Sequence, residues 1–60
     1  MASLRYHASA IQAAINAAAD DLCFLDDGNG SPIPATVDLN QIDENGELSD
    51  WTDITIPEGV

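Results

Sequence analysis

The side chains that could do chemistry in this sequence are carboxylates. Eight Asp and three Glu stand against one Arg, one His and no Lys. Three acidic pairs are adjacent in the chain: Asp20/Asp21, Asp26/Asp27 and Asp43/Glu44. General acid–base work on such a pair needs two carboxyls held in one cleft, with environments that separate their proton affinities. These pairs sit at the end of a helical pattern or beside Gly and Asn, where carboxylates stay solvated. The sequence therefore predicts no catalytic residues and no enzyme.

A cation site is the second chemistry that acids can do. The stretch 41–52 loosely resembles a calcium loop of the EF-hand or dockerin kind. Asp43 and Asn45 stand at ligand positions, Gly46 at the central glycine and Leu48 at the inward apolar position. The first ligand position is Gln41, however, and the bidentate position is Thr52, so both anchors of such a loop are missing. A hairpin with a polar turn explains the same residues, and no metal site or cofactor is expected. Cys23 is the single thiol, so it can form neither an internal disulfide nor a Cys-based zinc site. A nucleophilic thiol needs a base or cation beside it. The one imidazole, His7, is sixteen residues away, about 24 Å along a continuous helix. A small buried apolar side chain is the expectation for Cys23.

The elements that position these groups follow from spacing. Ser3 is an N-cap residue. After it, Leu4, Ala8, Ile11, Ile15, Ala18, Leu22 and Leu25 are spaced 4, 3, 4, 3, 4 and 3 apart, a heptad stripe. Ala10, Ala13, Ala14 and Ala17 add helix propensity. A helix is predicted over about 3–20, with 22–25 either its last turn or a short buried strand. Arg5 near its start and Asp20 and Asp21 near its end all have the wrong sign for the helix dipole. Packing must therefore hold it.

Residues 26–34 are turn-rich, and Pro32 and Pro34 impose an extended path. Ala35, Val37 and Leu39 then alternate with polar residues, and Asn45-Gly46 marks a turn. Leu48, Ile54 and Ile56 share one parity and Trp51 takes the other. The prediction is a hairpin over about 36–56, ended by Pro57. No internal repeat or linker is evident. The fold class is thus α+β: one N-terminal Ala-rich helix followed by a small antiparallel hairpin, in a single domain over residues 1–60.

Composition narrows the function. The net charge is −10, and all eleven acids lie within residues 20–60. One Arg and no Lys exclude phosphate-backbone binding. No apolar run is long enough to span a membrane, and no basic segment leads an apolar one as in a secretory signal. The Lys-free, Asp-rich composition resembles that of proteins from salt-in halophiles, and a GC-rich genome would give a similar bias.

At sixty residues, even with Met1 and Val60 as apolar contributors at the ends, one core rarely supplies more than about 3–5 kcal/mol. No disulfide or metal adds to it, so a neighbouring chain is the remaining support. From Ala8 to Ala19 no side chain is charged, which in so acidic a chain points to a covered surface. The expected site is therefore a contact surface: Leu4, Ala10, Ile11, Ala13, Ala14, Ile15 and Ala17 on the helix, with Trp51 on the hairpin.

The expected function is a non-catalytic structural or interaction subunit of a larger complex. Its partners are proteins, repeated copies among them, with neither nucleic acid nor membrane bound directly. By analogy with particles built from many very small proteins, the best placement is a minor capsid or tail protein of a tailed virus, of a halophilic host if the composition is taken at face value. That places it in the virion or the host cytoplasm. The alternative is an acidic mimic of nucleic acid that blocks a host nucleic-acid-binding protein.

Overall fold

A computed structural model of the chain describes residues 2–31, 33 and 35–59. The readings that fall on Met1 and Val60 as core contributors, and on Pro32 and Pro34 as extended chain, lie outside the described residues. Helix α1 runs over Leu4–Asp20, strand β1 over Thr36–Ile42 and strand β2 over Leu48–Thr55. The strands form an antiparallel two-stranded sheet. This is the α+β order that the residue spacing predicts.

The helix begins where a capping side chain can satisfy it. Ser3 is extended (φ −76°, ψ 165°), and its hydroxyl accepts from the Tyr6 amide at 3.2 Å. The other end closes in a Schellman motif. The Cys23 amide donates to the Ala18 carbonyl at 2.8 Å and the Leu22 amide to the Ala19 carbonyl at 2.9 Å. That geometry needs a left-handed residue, and Leu22 fills the place with φ 61°. The helix therefore stops at Asp20, and residues 22–25 are neither a last helical turn nor a strand. Leu22 is 81% exposed, and Phe24 and Leu25 follow in irregular backbone. Phe24 has its own contact: its side chain lies so close to Gly59 that a Cβ there would sit 2.9 Å from the ring.

The hairpin turn is built by one carboxylate. Asp43 Oδ1 accepts from the amides of Asn45 (2.9 Å) and Glu47 (3.0 Å), while the Asp43 amide donates to the Glu47 carbonyl at 2.8 Å. Gly46 takes φ 80°, the left-handed position that closes the loop. The pentad Asp27–Ser31 repeats this arrangement. Asp27 Oδ1 accepts from Asn29 (2.8 Å) and Ser31 (3.1 Å), the Asp27 amide donates to the Ser31 carbonyl at 3.0 Å, and Gly30 has φ 87°. The two pentads share the pattern Asp-x-Asn-Gly, so the chain carries a short internal repeat, contrary to the expectation of none.

Register decides which side chains share a face. Val37 pairs with Ile54, Asp38 with Asp53, Leu39 with Thr52 and Asn40 with Trp51. Gln41 then pairs with Asp50 but Ile42 with Leu48, so Ser49 is one residue too many in β2. This β-bulge is fastened by the Ser49 hydroxyl donating to the Gln41 carbonyl at 3.1 Å. Because the extra residue reverses parity, Leu48 leaves the face of Ile54 and joins that of Trp51 and Ile42. The expected grouping of Leu48 with Ile54 and Ile56 is corrected by this single insertion.

Helix α1 covers the inner face of the hairpin. Leu4, Ala8, Gln12, Ile15, Ala18 and Ala19 are half-buried, and Ile54 and Ile56 are the fully buried hydrophobic residues among those described. Polar Gln12 sits in the middle of this stripe because it has a structural task. Its Nε2 donates to the Thr55 carbonyl at 2.7 Å, and its Oε1 accepts from the Thr55 amide at 2.8 Å. The side-chain amide thus acts as a short third strand on the free edge of β2. Ile11, which the heptad places in the stripe, is displaced to 39% exposure.

The strained helix end generates a prediction. Leu22→Gly relieves a left-handed Leu whose side chain is mostly in solvent, and should stabilise the chain by about 0.5–1 kcal/mol. Urea unfolding monitored by far-UV dichroism measures this; a loss of stability would show that the Leu22 side chain has a packing role.

Candidate functional site

The acids are the most numerous reactive groups, and several of them accept from backbone amides. Asp27 and Asp43 each spend one carboxylate oxygen on two backbone amides, and Asp26 Oδ1 accepts from the Gly28 amide at 2.8 Å. Asp50 Oδ1 accepts from the Trp51 amide at 2.8 Å, which satisfies a donor on the β2 edge. All of these residues are exposed. Their carboxylates organise loops and an edge, and none shares a cleft with a second carboxyl of different environment. Among the described residues, no three His, Cys, Asp or Glu side chains converge as a metal would require.

The thiol and the imidazole are separated as their spacing implies. His7 lies in the second turn of α1 and packs edge-to-face with Tyr6, ring centroids 5.4 Å apart. Cys23 follows the other end of the helix and is exposed, its Sγ 3.6 Å from the Asp21 carbonyl. The expectation of a buried Cys23 is thus corrected: the Schellman turn ends the helix before Cys23 can reach the inner face.

What remains are surfaces. Ala10, Ala13, Ala14 and Ala17 are exposed on α1, Ile11 borders them, and Leu4 and Ile15 turn toward the hairpin as half-buried residues. Small side chains without charge let another backbone approach closely. Beside them a recess of 210 Å³ opens between the helix and the segment after it, lined by Ala14, Ile15, Ala18, Cys23, Phe24, Leu25 and Pro57. Its walls are apolar, and no charged side chain contributes to them.

The second surface is the outer face of the hairpin. Trp51 (55% exposed), Ile42 (54%) and Leu48 (57%) meet there because of the bulge at Ser49. Trp51 belonged to the expected contact surface; Ile42 and Leu48 did not. Their signal is faint in sequence, since only a residue count across the turn, made after the strand pairing is known, shows that β2 has one residue too many.

Beside this apolar group lies a like-charged pair, Asp38 opposite Asp53. The hydrogen bonding fixes which kind of pair they form. The Thr55 amide and carbonyl both point outward to Gln12, and the Ile56 amide donates to the Ala35 carbonyl at 2.7 Å. Thr36/Thr55 is therefore a non-hydrogen-bonded pair, and by alternation so is Asp38/Asp53. Such pairs hold opposing side chains closest, and like charges there are destabilising.

No protein family, curated protein or solved structure matches the chain. No helix among the described residues is long and apolar enough to cross a membrane.

Asp27 and Asp43 each have one carboxylate oxygen committed to the turn, and among the described residues no cluster of three ligating side chains forms around the other. Calorimetry with calcium or zinc should give weak heats that vanish in molar salt. A stoichiometric site with micromolar affinity would contradict this account of the loops.

Proposed function

We propose that this chain is a small, non-catalytic subunit of a larger protein assembly, docked through the uncharged face of α1. One observation carries the reading: the fold by itself leaves too much surface open. The accessible surface is 4789 Å². A compact chain of 6.3 kDa is expected to expose about 3700 Å². The radius of gyration is 13.2 Å, against about 10 Å for a compact chain of this length. The excess is comparable to the area of about 800 Å² that one partner buries in an ordinary protein interface.

The helix face is the best candidate for that contact. Ala10, Ala13, Ala14 and Ala17 are exposed yet uncharged in a chain of net charge −10, and the adjoining apolar recess offers a socket for a partner's side chain. The finer reading, a minor capsid or tail protein of a tailed virus with a halophilic host, rests on size and composition.

The nucleic-acid mimic is the competing reading, and the −10 charge favours it. A mimic presents carboxylates along one face at phosphate-like spacing. Here Asp26, Asp27 and Asp43 cluster in two loops instead of running along one face, which favours the subunit.

The two readings respond oppositely to substitution. The test follows recovery of the tagged chain in its native complex. Ala13→Asp or Ala17→Asp should abolish recovery, since an unpaired charge buried at an interface costs about 3–5 kcal/mol. Both positions are exposed in the free chain, and unchanged far-UV dichroism of the variants separates lost docking from lost folding. Asp43→Asn and Glu44→Gln should leave recovery nearly unchanged. The reverse pattern, with the Ala variants active and the neutralised acids inactive, would overturn the subunit in favour of the mimic.

A further inference from the structure

The helix face leaves a second surface unexplained, on the opposite side of the hairpin. Three features meet there, and each is unfavourable for a free protein. Trp51, Ile42 and Leu48 are more than half exposed. Leu48 is there only because Ser49 is inserted as a bulge. Asp38 and Asp53 stand directly opposite each other as a non-hydrogen-bonded pair, like charge facing like charge. A cation placed between the two carboxylates would relieve the repulsion, and an apolar side chain laid over Trp51 would cover the exposed ring.

We infer that the outer face of the hairpin binds a cationic amphipathic peptide segment of a protein partner. A Lys or Arg would bridge Asp38 and Asp53, and neighbouring apolar residues would pack on Trp51, Ile42 and Leu48. The cation can also approach the indole face of Trp51. Charge selects this occupant. A second copy of the chain brings another −10 and has one Arg and no Lys to offer. Nucleic acid and anionic membranes are repelled for the same reason. The surface is separate from the α1 face, so its failure would leave the subunit reading standing, and the reverse holds as well. If both faces are used, the chain joins two neighbours of different chemistry.

The 60-residue chain supplies its own probe, because Trp51 is its single tryptophan. Three synthetic peptides are titrated: one with Lys and Leu segregated to opposite sides, the same peptide with Glu for Lys, and the same with Ser for Leu. The Lys/Leu peptide should shift Trp51 emission to the blue and saturate at one per chain, and the other two should not. Asp38→Asn with Asp53→Asn should weaken binding about three- to tenfold. The same double change should raise the melting temperature of the free chain, which separates lost binding from lost folding. Asp20→Asn with Asp21→Asn removes equal charge away from this face and should leave binding unchanged. Equal weakening by both double variants would reduce the effect to diffuse attraction and overturn the inference. So would a blue shift with the Glu/Leu peptide, or one produced by raising the protein concentration alone.

Discussion

The fold depends on how Gln12 meets Thr55. The helix and hairpin share little apolar surface, with Ile54 and Ile56 as the fully buried hydrophobic residues described. Apolar contact of that extent is non-directional and does not fix an angle or a register. The paired bonds of one side-chain amide to one backbone amide and carbonyl do both. They also occupy part of an edge that would otherwise be open to a foreign strand. Everything downstream inherits this placement. With Gln12 turned to the sheet, Leu4, Ala8, Ile15 and Ala19 face inward, and Ala10, Ala13, Ala14 and Ala17 face solvent.

The acids are as much a constraint as a resource. With a single Arg available, the chain cannot neutralise its carboxylates by ion pairing, and backbone amides serve instead. Asp27 and Asp43 turn this into structure, closing two pentads of the same pattern with the same bonds. Asp38 and Asp53 gain no such partner in the bonds described and face each other across the sheet. Charge that stabilises local turns therefore also opposes compaction of the whole, and salt is the natural modulator of the balance.

Much of this architecture is legible in the residues. The Ser3 cap, the Ala-rich periodic segment, the alternation around Val37 and Leu39 and the Asn45-Gly46 turn each have a local physical cause, and each element formed where that cause lies. The misreadings come from events that local pattern does not encode. The heptad assigns Ile11 to the buried stripe, yet Gln12 displaces it, because the worth of a polar side chain there depends on a strand edge forty-three residues away. Leu22 and Leu25 fit the stripe but lie beyond a helix stop whose left-handed residue is a Leu rather than the customary Gly. One extra residue, Ser49, carries Leu48 to the other face of the sheet. The uncharged helix face is plain in the sequence, but the apolar group on the outer sheet face is visible only once the register is known.

The central claim is that this fold is under-buried alone and is completed by neighbours. Thermal unfolding of the isolated chain, followed by far-UV dichroism at about 0.1 M and at molar salt, tests it most directly. The account predicts reduced helicity and a low-temperature transition at low salt, with helicity and melting temperature both rising as salt screens the acids. A cooperative melt above about 60 °C at low salt, from a chain shown to be monomeric by sedimentation, would contradict it.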